Sequence, residues 1–198
     1  MAGIVIIGAG QAGSSLAAKL RNLGYEGDVT LIGDEPAPPY QRPPLSKKYL
    51  LGEMDLERLY LRSDAFYADQ KIDVRLGAKV TGIDPAAKLI RLGDEVLAYD
   101  QLALTTGSEP RRLPAAIGGH LKGVFGVRRL SDIDAMAPYF AAGKRLLVIG
   151  GGAAGLMAAL AAGRTGARVI IVDEDERFGG RLLSEADRLD GLAAPAWV

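Results

Sequence analysis

Two stretches of the chain share one pattern of apolar and polar positions. Residues 3–35 and 145–176 each begin with a short aliphatic run, pass through a glycine-rich turn into an Ala- and Leu-rich segment, and end in a second β-branched run before acidic residues. The aliphatic runs predict buried strands, and the Ala- and Leu-rich segments predict helices that end near Gly24 and Gly166. The repeat therefore predicts two βαβ units.

The stretch between the repeats predicts a loop followed by short elements. Residues 36–44 hold five of the ten prolines, so they predict a shaped loop. Helices are predicted at 45–52 and 63–70. Alternating positions predict strands of a small antiparallel meander, inserted as a crossover, at 72–75, 79–84, 87–92 and 95–98.

The chain after the meander predicts one more strand and a connection to the second repeat. Residues 102–107 predict a buried strand that ends in a glycine turn. A connector follows at 110–126, and Ser131 is expected to cap a helix at 132–140 through its hydroxyl oxygen. The whole pattern predicts an α/β fold with Rossmann-like βαβ units, an inserted β-meander crossover and an incomplete second unit.

Composition excludes several kinds of chemistry. The 198 residues include no cysteine, which excludes a redox-active disulfide, a cysteine-ligated iron–sulfur cluster and a cysteine nucleophile. The single histidine, His120, argues against a transition-metal site. Equal numbers of basic and acidic residues, 24 of each, leave no basic footprint for nucleic acid. The uncharged stretch 146–163 is broken by glycines, which disfavours a membrane span. No signal peptide is predicted, and we expect a cytoplasmic protein.

The first glycine turn has the spacing of a dinucleotide-binding loop. Gly8, Gly10 and Gly13 follow a predicted strand and open a predicted helix; they permit the tight turn, the approach of a pyrophosphate and close helix–strand packing. The phosphates are expected at the helix N-terminus. Asp34 ends the second strand and is the candidate acid for a ribose hydroxyl, with Glu35 as the reserve candidate.

The second turn repeats this arrangement with Gly150, Gly152 and Gly155, and Asp173 takes the place of the acid. A carboxylate at this position favours a free ribose 2′-hydroxyl, so NAD(H) or FAD is preferred to NADP(H). Two copies with full strand, helix and acid context make the prediction of dinucleotide binding much stronger than one copy alone.

Residues 1–150 resemble the FAD-dependent, ferredoxin-reductase-type oxidoreductases. The resemblance rests on IVIIGAGQAG, LIGDE, PYQRPPLSKKYL, YLR at 60–62, LTTG at 104–107 and GVRRLSDIDA at 126–135, and the RPPLSK block is its most specific part. It implies a flavoprotein that passes electrons from NAD(P)H through FAD to a small redox protein such as ferredoxin or rubredoxin.

The resemblance also assigns residues to FAD. By match, the ADP half is held by Gly8, Gly10, Ala12, Gly13 and Asp34. Val80 is expected to contact the adenine side through its backbone, and Arg128 to approach from the connector. Thr106 and Gly107 of the LTTG turn are further expected cofactor contacts.

Lys47 of the RPPLSK block is the candidate catalytic residue. The resemblance places it beside the flavin ring, with Arg42 and Pro43 on the same wall. A cation at the N1/N5 edge can stabilise the reduced, anionic ring. The alternative is a solvated lysine next to Lys48.

The second repeat matches that family less well. The family usually has a glutamate two residues after the last glycine, where this chain has Met157. Residues 143–198 look more like the dinucleotide domain in the α subunit of heterotetrameric sarcosine oxidase, and the glycines of Phe178-Gly179-Gly180 are typical of backbone that meets a diphosphate. Whether the second loop takes NAD(H) or FAD is left open.

These observations predict an FAD-binding segment at 1–109, a connector at 110–142 and the first half of a second dinucleotide-binding unit at 143–198. The chain is expected to be truncated or composite. A subunit or fragment of an amine-oxidising flavoprotein and a non-catalytic dinucleotide-binding fragment are the alternative functions.

Overall fold

The computed structural model describes residues 3–180 and two short strands at 188–189 and 192–193. The described chain divides into two compact units. The first comprises the residues up to Gln41 and Leu56–Glu109; the second comprises Arg42–Asp55 and the described residues from Pro110 onward. Residues 42–55, which the sequence places in the segment 1–109, therefore group with the second unit.

The first unit is built on a parallel sheet. Its elements in chain order are β1 (Ile4–Ile7), α1 (Gln11–Asn22), β2 (Val29–Ile32), α2 (Asp64–Asp69), β3 (Ile72–Arg75), β4 (Gly82–Asp84), β5 (Leu89–Leu92), β6 (Glu95–Ala98) and β7 (Gln101–Leu104). A 3₁₀ turn at Leu56–Leu59 precedes α2. The parallel strands lie in the order β3-β2-β1-β7, as expected of a βαβ unit.

Both faces of this sheet are covered, which explains the unbroken apolar run of β1. Ile6 packs with Ala17 of α1 and Tyr67 of α2 on one face. Val5 and Ile7 point to the other face, where they pack with residues of the meander and its surroundings, among them Ile32, Ile90 and Tyr99.

The predicted meander is confirmed in part. Strands β4, β5 and β6 form an antiparallel sheet of three strands. Residues 72–75 form the predicted strand, but its assignment to the meander is wrong, because β3 pairs in parallel with β2 in the main sheet. A four-residue strand shows the same alternation in either sheet, so the pattern did not distinguish the two places. The strand predicted at 102–107 forms as β7, but the prediction that it is buried is wrong. β7 is the last strand of the sheet, none of its four residues is buried, and the Leu104 side chain is 63% exposed.

The second unit carries the second βαβ repeat. Its elements in chain order are a single turn of π-helix (Leu45–Tyr49), a 3₁₀ turn (Ala115–Ile117), α3 (Leu130–Met136), a second 3₁₀ turn (Ala137–Tyr139), β8 (Arg145–Ile149), α4 (Ala153–Arg164), β9 (Arg168–Val172), β10 (Arg188–Leu189) and β11 (Leu192–Ala193). Strands β8 and β9 pair in parallel, and the pair β10 and β11 is antiparallel.

The prediction that Ser131 caps a helix at 132–140 is wrong. Helix α3 begins at Leu130, and the Asp132 carboxylate accepts from the amides of Arg128 and Arg129 at 3.0 and 2.8 Å. A carboxylate in the first turn that accepts from the N-cap amide is one half of a capping box, whereas a serine cap would accept from amides inside the first turn. The α/β class predicted from the repeat is confirmed.

Candidate functional site

The first glycine loop follows β1 at the edge where the parallel strands end. Gly8 has φ of +116°, and its amide donates to Ile32 O at 2.8 Å. A Cβ at Gly8 would lie 2.2 Å from Thr105 O. The turn therefore requires glycine for its conformation and for its approach to the segment after β7.

Gly10 and Gly13 have opposite surroundings. A Cβ at Gly13 would lie 2.0 Å from Gly8 O, whereas a Cβ at Gly10 would meet no atom within 4 Å. The first backbone hydrogen bond of α1 runs from Ser14 N to Gly10 O at 3.0 Å. The amides of the first turn that precede Ser14 N are thus available to an anion, and Gly10 leaves the space through which a diphosphate would approach them.

The two acids after β2 differ in their contacts. Glu35 Oε2 accepts from Tyr40 Oη at 2.5 Å, and Asp34 is exposed. A Cβ at Gly33 would lie 2.6 Å from Ala9 Cβ, so the residue before Asp34 lies against the glycine loop. Asp34 therefore follows β2 beside the glycine loop, and its contact with a ribose stays a prediction. Glu35 holds the proline-rich loop through Tyr40.

The remaining predicted contacts of this unit lie at the same strand edge. Ala78 N donates to Gly33 O at 2.8 Å, which brings the segment that leads to Val80 beside the end of β2. Val80 is half-buried and packs against the core of the first unit. Thr106 and Gly107 follow β7 and are exposed. Their contact with a cofactor stays a prediction.

A polar cluster beside α1 was missed by sequence reasoning. Ser14 Oγ and Tyr67 Oη are 2.7 Å apart, and both residues are buried. Arg62 Nη1 donates to Ser14 Oγ at 3.2 Å. Burial raises the pKa of Tyr67, against the lowering effects of the Ser14 hydrogen bond and the Arg62 charge. The YLR motif contributed to the resemblance, but the sequence around Arg62 does not indicate that this arginine contacts Ser14 of α1.

The RPPLSK block lies in the second unit. Arg42 Nη1 donates to Arg128 O at 2.5 Å, which joins two residues that the resemblance assigns to FAD. The π-helical turn is kinked at Lys47, whose dihedral angles are φ −126° and ψ −111°. Tyr49 Oη donates to Asp134 Oδ1 at 2.9 Å. Pro43 is exposed and Lys47 half-buried, and a role of either residue beside a flavin stays a prediction.

The second glycine loop repeats the backbone of the first. Gly150 has φ of +105°, and its amide donates to Val172 O at 2.8 Å. A Cβ at Gly155 would lie 1.8 Å from Gly150 O, and a Cβ at Gly152 would meet no atom within 4 Å. Gly150 thus forms the turn as Gly8 does, Gly155 packs closely as Gly13 does, and Gly152 leaves open space as Gly10 does.

The acid and the Phe-Gly-Gly segment lie on this second loop. The Asp173 carboxylate accepts from the amides of Gly151 and Asp175, and hydrogen bonds from Asp175 and then Gly151 lower its pKa. Gly179 N donates to Gly151 O at 2.7 Å. A Cβ at Gly151 would collide with the Phe178 ring. Asp173 is therefore held by the chain's own amides.

Other kinds of site are not found in the described part of the chain. None of its helices is long and apolar enough to cross a membrane. No cluster of three or more metal-ligating side chains occurs among the described residues. His120 lies in an exposed turn, where Nδ1 is 3.0 Å from Ala115 O.

Comparison with known proteins decides the family. A profile of the pyridine nucleotide-disulphide oxidoreductases matches residues 2–188. The chain belongs to this family. The match includes both glycine loops, although the chain has no cysteine for the disulphide in the family's name.

Similar members of the family are reductases of small electron carriers. A probable ferredoxin reductase of Castellaniella defragrans is 42% identical over 179 residues, which are 89% of this chain and 44% of that protein. Rhodocoxin reductase of Rhodococcus erythropolis is 42% identical over 91% of this chain and 42% of its own length. The chain thus spans less than half the length of these relatives. The predicted resemblance to ferredoxin-reductase-type oxidoreductases is confirmed.

The fold has the same relatives. The reductase in the crystal structure of the covalent putidaredoxin reductase–putidaredoxin complex has a TM-score of 0.85 and 39% identity, covering 91% of this chain and 44% of that one. The resemblance of residues 143–198 to sarcosine oxidase stays a prediction, and residues 181–187, 190–191 and 194–198 of that stretch lie outside the described residues.

Proposed function

We propose that this protein is a flavin-dependent oxidoreductase that passes electrons from NAD(P)H through FAD to a small redox protein of the ferredoxin or rubredoxin type. The observation that carries the proposal is the first glycine loop. A Cβ would collide with other atoms at Gly8 and at Gly13, whereas the space beside Gly10 is open. A diphosphate needs this open approach to the backbone at the second glycine. The names of the similar reductases support the electron carrier as acceptor.

The residues present fit FAD at the first loop. The amides at the start of α1 would hold its diphosphate, and the exposed Asp34 carboxylate would accept from a ribose hydroxyl. FAD, when bound, supplies the hydride and single-electron chemistry. The resemblance alone implies that Lys47 holds a positive charge for the flavin. Within the second unit, the Arg42–Arg128 hydrogen bond fixes the start of the segment that carries Lys47.

The second loop is proposed as the NAD(H) site. Its glycines have the geometry of the first loop. Asp173 accepts from Gly151 and Asp175, so a ribose hydroxyl would have to share or replace these bonds. This observation favours a second candidate function, in which the chain binds one dinucleotide without turnover.

Reduction of ferricyanide by NADH, with and without added FAD, tests the proposal. We expect turnover that depends on FAD, and then reduction of a ferredoxin or rubredoxin in place of the dye. Bound FAD without turnover favours the non-catalytic candidate. Flavin bleaching by sarcosine, without response to NADH, favours an amine-oxidising flavoprotein.

A further inference from the structure

Arg62 carries a guanidinium that the protein orients but does not neutralise. Its Nη1 donates to Ser14 Oγ at 3.2 Å, and its Cζ lies 5.0 Å from the centroid of the Phe66 ring. In the described part of the chain, no carboxylate forms an ion pair with Arg62. A guanidinium has five N–H donors, so most of them remain for a ligand or solvent.

The topology places Arg62 at the edge of the sheet that carries the first glycine loop. Helix α2 follows Arg62 and leads into β3, which runs parallel to β2 and β1. The start of α2 therefore lies toward the edge where these strands end. Ser14 lies one turn into α1, and helical side chains lean toward the N-terminus of their helix. The guanidinium on Ser14 Oγ thus lies near the first turn.

The hydroxyls beside Arg62 are buried. Ser14 is fully buried and Tyr67 is 3% exposed. Tyr67 Oη lies 2.7 Å from Ser14 Oγ, and burial raises the pKa of Tyr67. Phe66 packs edge-on against Tyr67, with ring centroids 5.5 Å apart. The hydroxyl pair and the Phe66 ring together fix the direction of the arginine.

We propose that Arg62 is a positioning residue for the diphosphate of the dinucleotide at the first glycine loop. The inference rests on the proposed function. A helix N-terminus supplies roughly half a positive charge, which is less than the charge of a diphosphate. A guanidinium fork matches phosphate oxygens with several donors at once. Arg62 adds positive charge near the first turn of α1, from a direction that its contacts with Ser14 and Phe66 fix.

Binding of ADP and adenosine to the protein freed of FAD tests this role. ADP carries the diphosphate and adenosine does not. We expect Arg62→Gln to weaken ADP binding by about ten- to a hundredfold, the range for hydrogen bonds to a charged group. Adenosine binding is expected to change by less than about twofold, within the variation of a surface substitution. Arg62→Lys should restore part of the ADP affinity, because it restores the charge.

The matched control is Arg58→Gln, which removes the same charge from an exposed residue of the preceding 3₁₀ turn. We expect this variant to bind ADP as the wild type does. Equal losses for ADP and adenosine in Arg62→Gln would assign Arg62 a structural role and overturn the inference. Unchanged ADP affinity would also overturn it.

A measurement on the wild type keeps the test independent of folding of the variants. Phenylglyoxal modifies accessible arginines, and mass spectrometry locates the modified residue. We expect ADP, but not adenosine, to protect Arg62. If FAD and ADP bind but Arg62 is modified at the same rate with ADP as with adenosine, the inference about Arg62 is contradicted and the proposed function is not. A wild type that binds neither FAD nor ADP contradicts the proposed function and, with it, this inference.

Discussion

Tyr40 Oη donates a hydrogen bond of 2.5 Å to Glu35 Oε2, so the second of the two acids after β2 is held by the proline-rich loop. Its neighbour Asp34 is exposed at the end of the strand beside the glycine loop. The two carboxylates differ in exposure although they are adjacent in sequence, and we expect them to have different tasks.

Asp34→Ala is expected to weaken FAD binding by about tenfold or more, because it removes a charge-assisted hydrogen bond to the ribose. Glu35→Ala is the matched control, and it should lower the free energy of unfolding by about 1 kcal/mol with a smaller effect on FAD. The measurements are FAD titration and urea unfolding. An Asp34→Ala protein that keeps wild-type FAD stoichiometry and affinity would show that Asp34 does not bind the ribose.

Gly10→Ala and Gly13→Ala separate ligand binding from folding. A Cβ at Gly13 would lie 2.0 Å from Gly8 O, so Gly13→Ala should destabilise the protein by about 3 kcal/mol through overpacking. A Cβ at Gly10 would meet no atom within 4 Å, so Gly10→Ala should cost less than about 1 kcal/mol but obstruct the diphosphate. Thermal unfolding with and without FAD measures both effects. Unimpaired FAD binding by Gly10→Ala would contradict the assignment of this loop.

Lys47→Ala is expected to slow flavin reduction by NADH more than it weakens FAD retention, because the lysine stabilises charge on the reduced ring. Lys48→Ala, which removes the exposed neighbouring charge, is the control and should reduce at the wild-type rate. Stopped-flow absorbance measures reduction, and flavin content measures retention. Equal rates for Lys47→Ala and wild type would exclude Lys47 from the site.

Asp173 gives a prediction about pH. Hydrogen bonds from Asp175 and Gly151 lower the pKa of its carboxyl, so the folded state binds this proton less tightly than the unfolded state. Its stabilising contribution is complete above the ordinary aspartate pKa of about 3.9 and is lost as the pH falls through the lower folded-state pKa. The difference in unfolding free energy between wild type and Asp173→Asn should thus shrink between neutral pH and about pH 3. A difference that stays constant in urea unfolding at both pH values would contradict this contact.

The sequence predicted those features that depend on local pattern. The glycine spacing located both loops, and the repeat of apolar runs predicted the strands β1, β2, β8 and β9. The place of β3 was not predictable, because a short alternating strand fits a parallel sheet or a meander equally well. The cap of α3 was missed because Asp132 and Ser131 are both capping residues by type. The contact of Arg62 with Ser14 joins residues 48 positions apart, and only the parallel topology brings them together.

The most direct test of the account is an anaerobic titration of the purified protein with NADH, followed by its absorption spectrum. We expect that FAD, retained or added, binds stoichiometrically and that its oxidised bands disappear as NADH is added. A protein that binds no FAD, or whose bound FAD stays oxidised in excess NADH, would contradict the proposed flow of electrons.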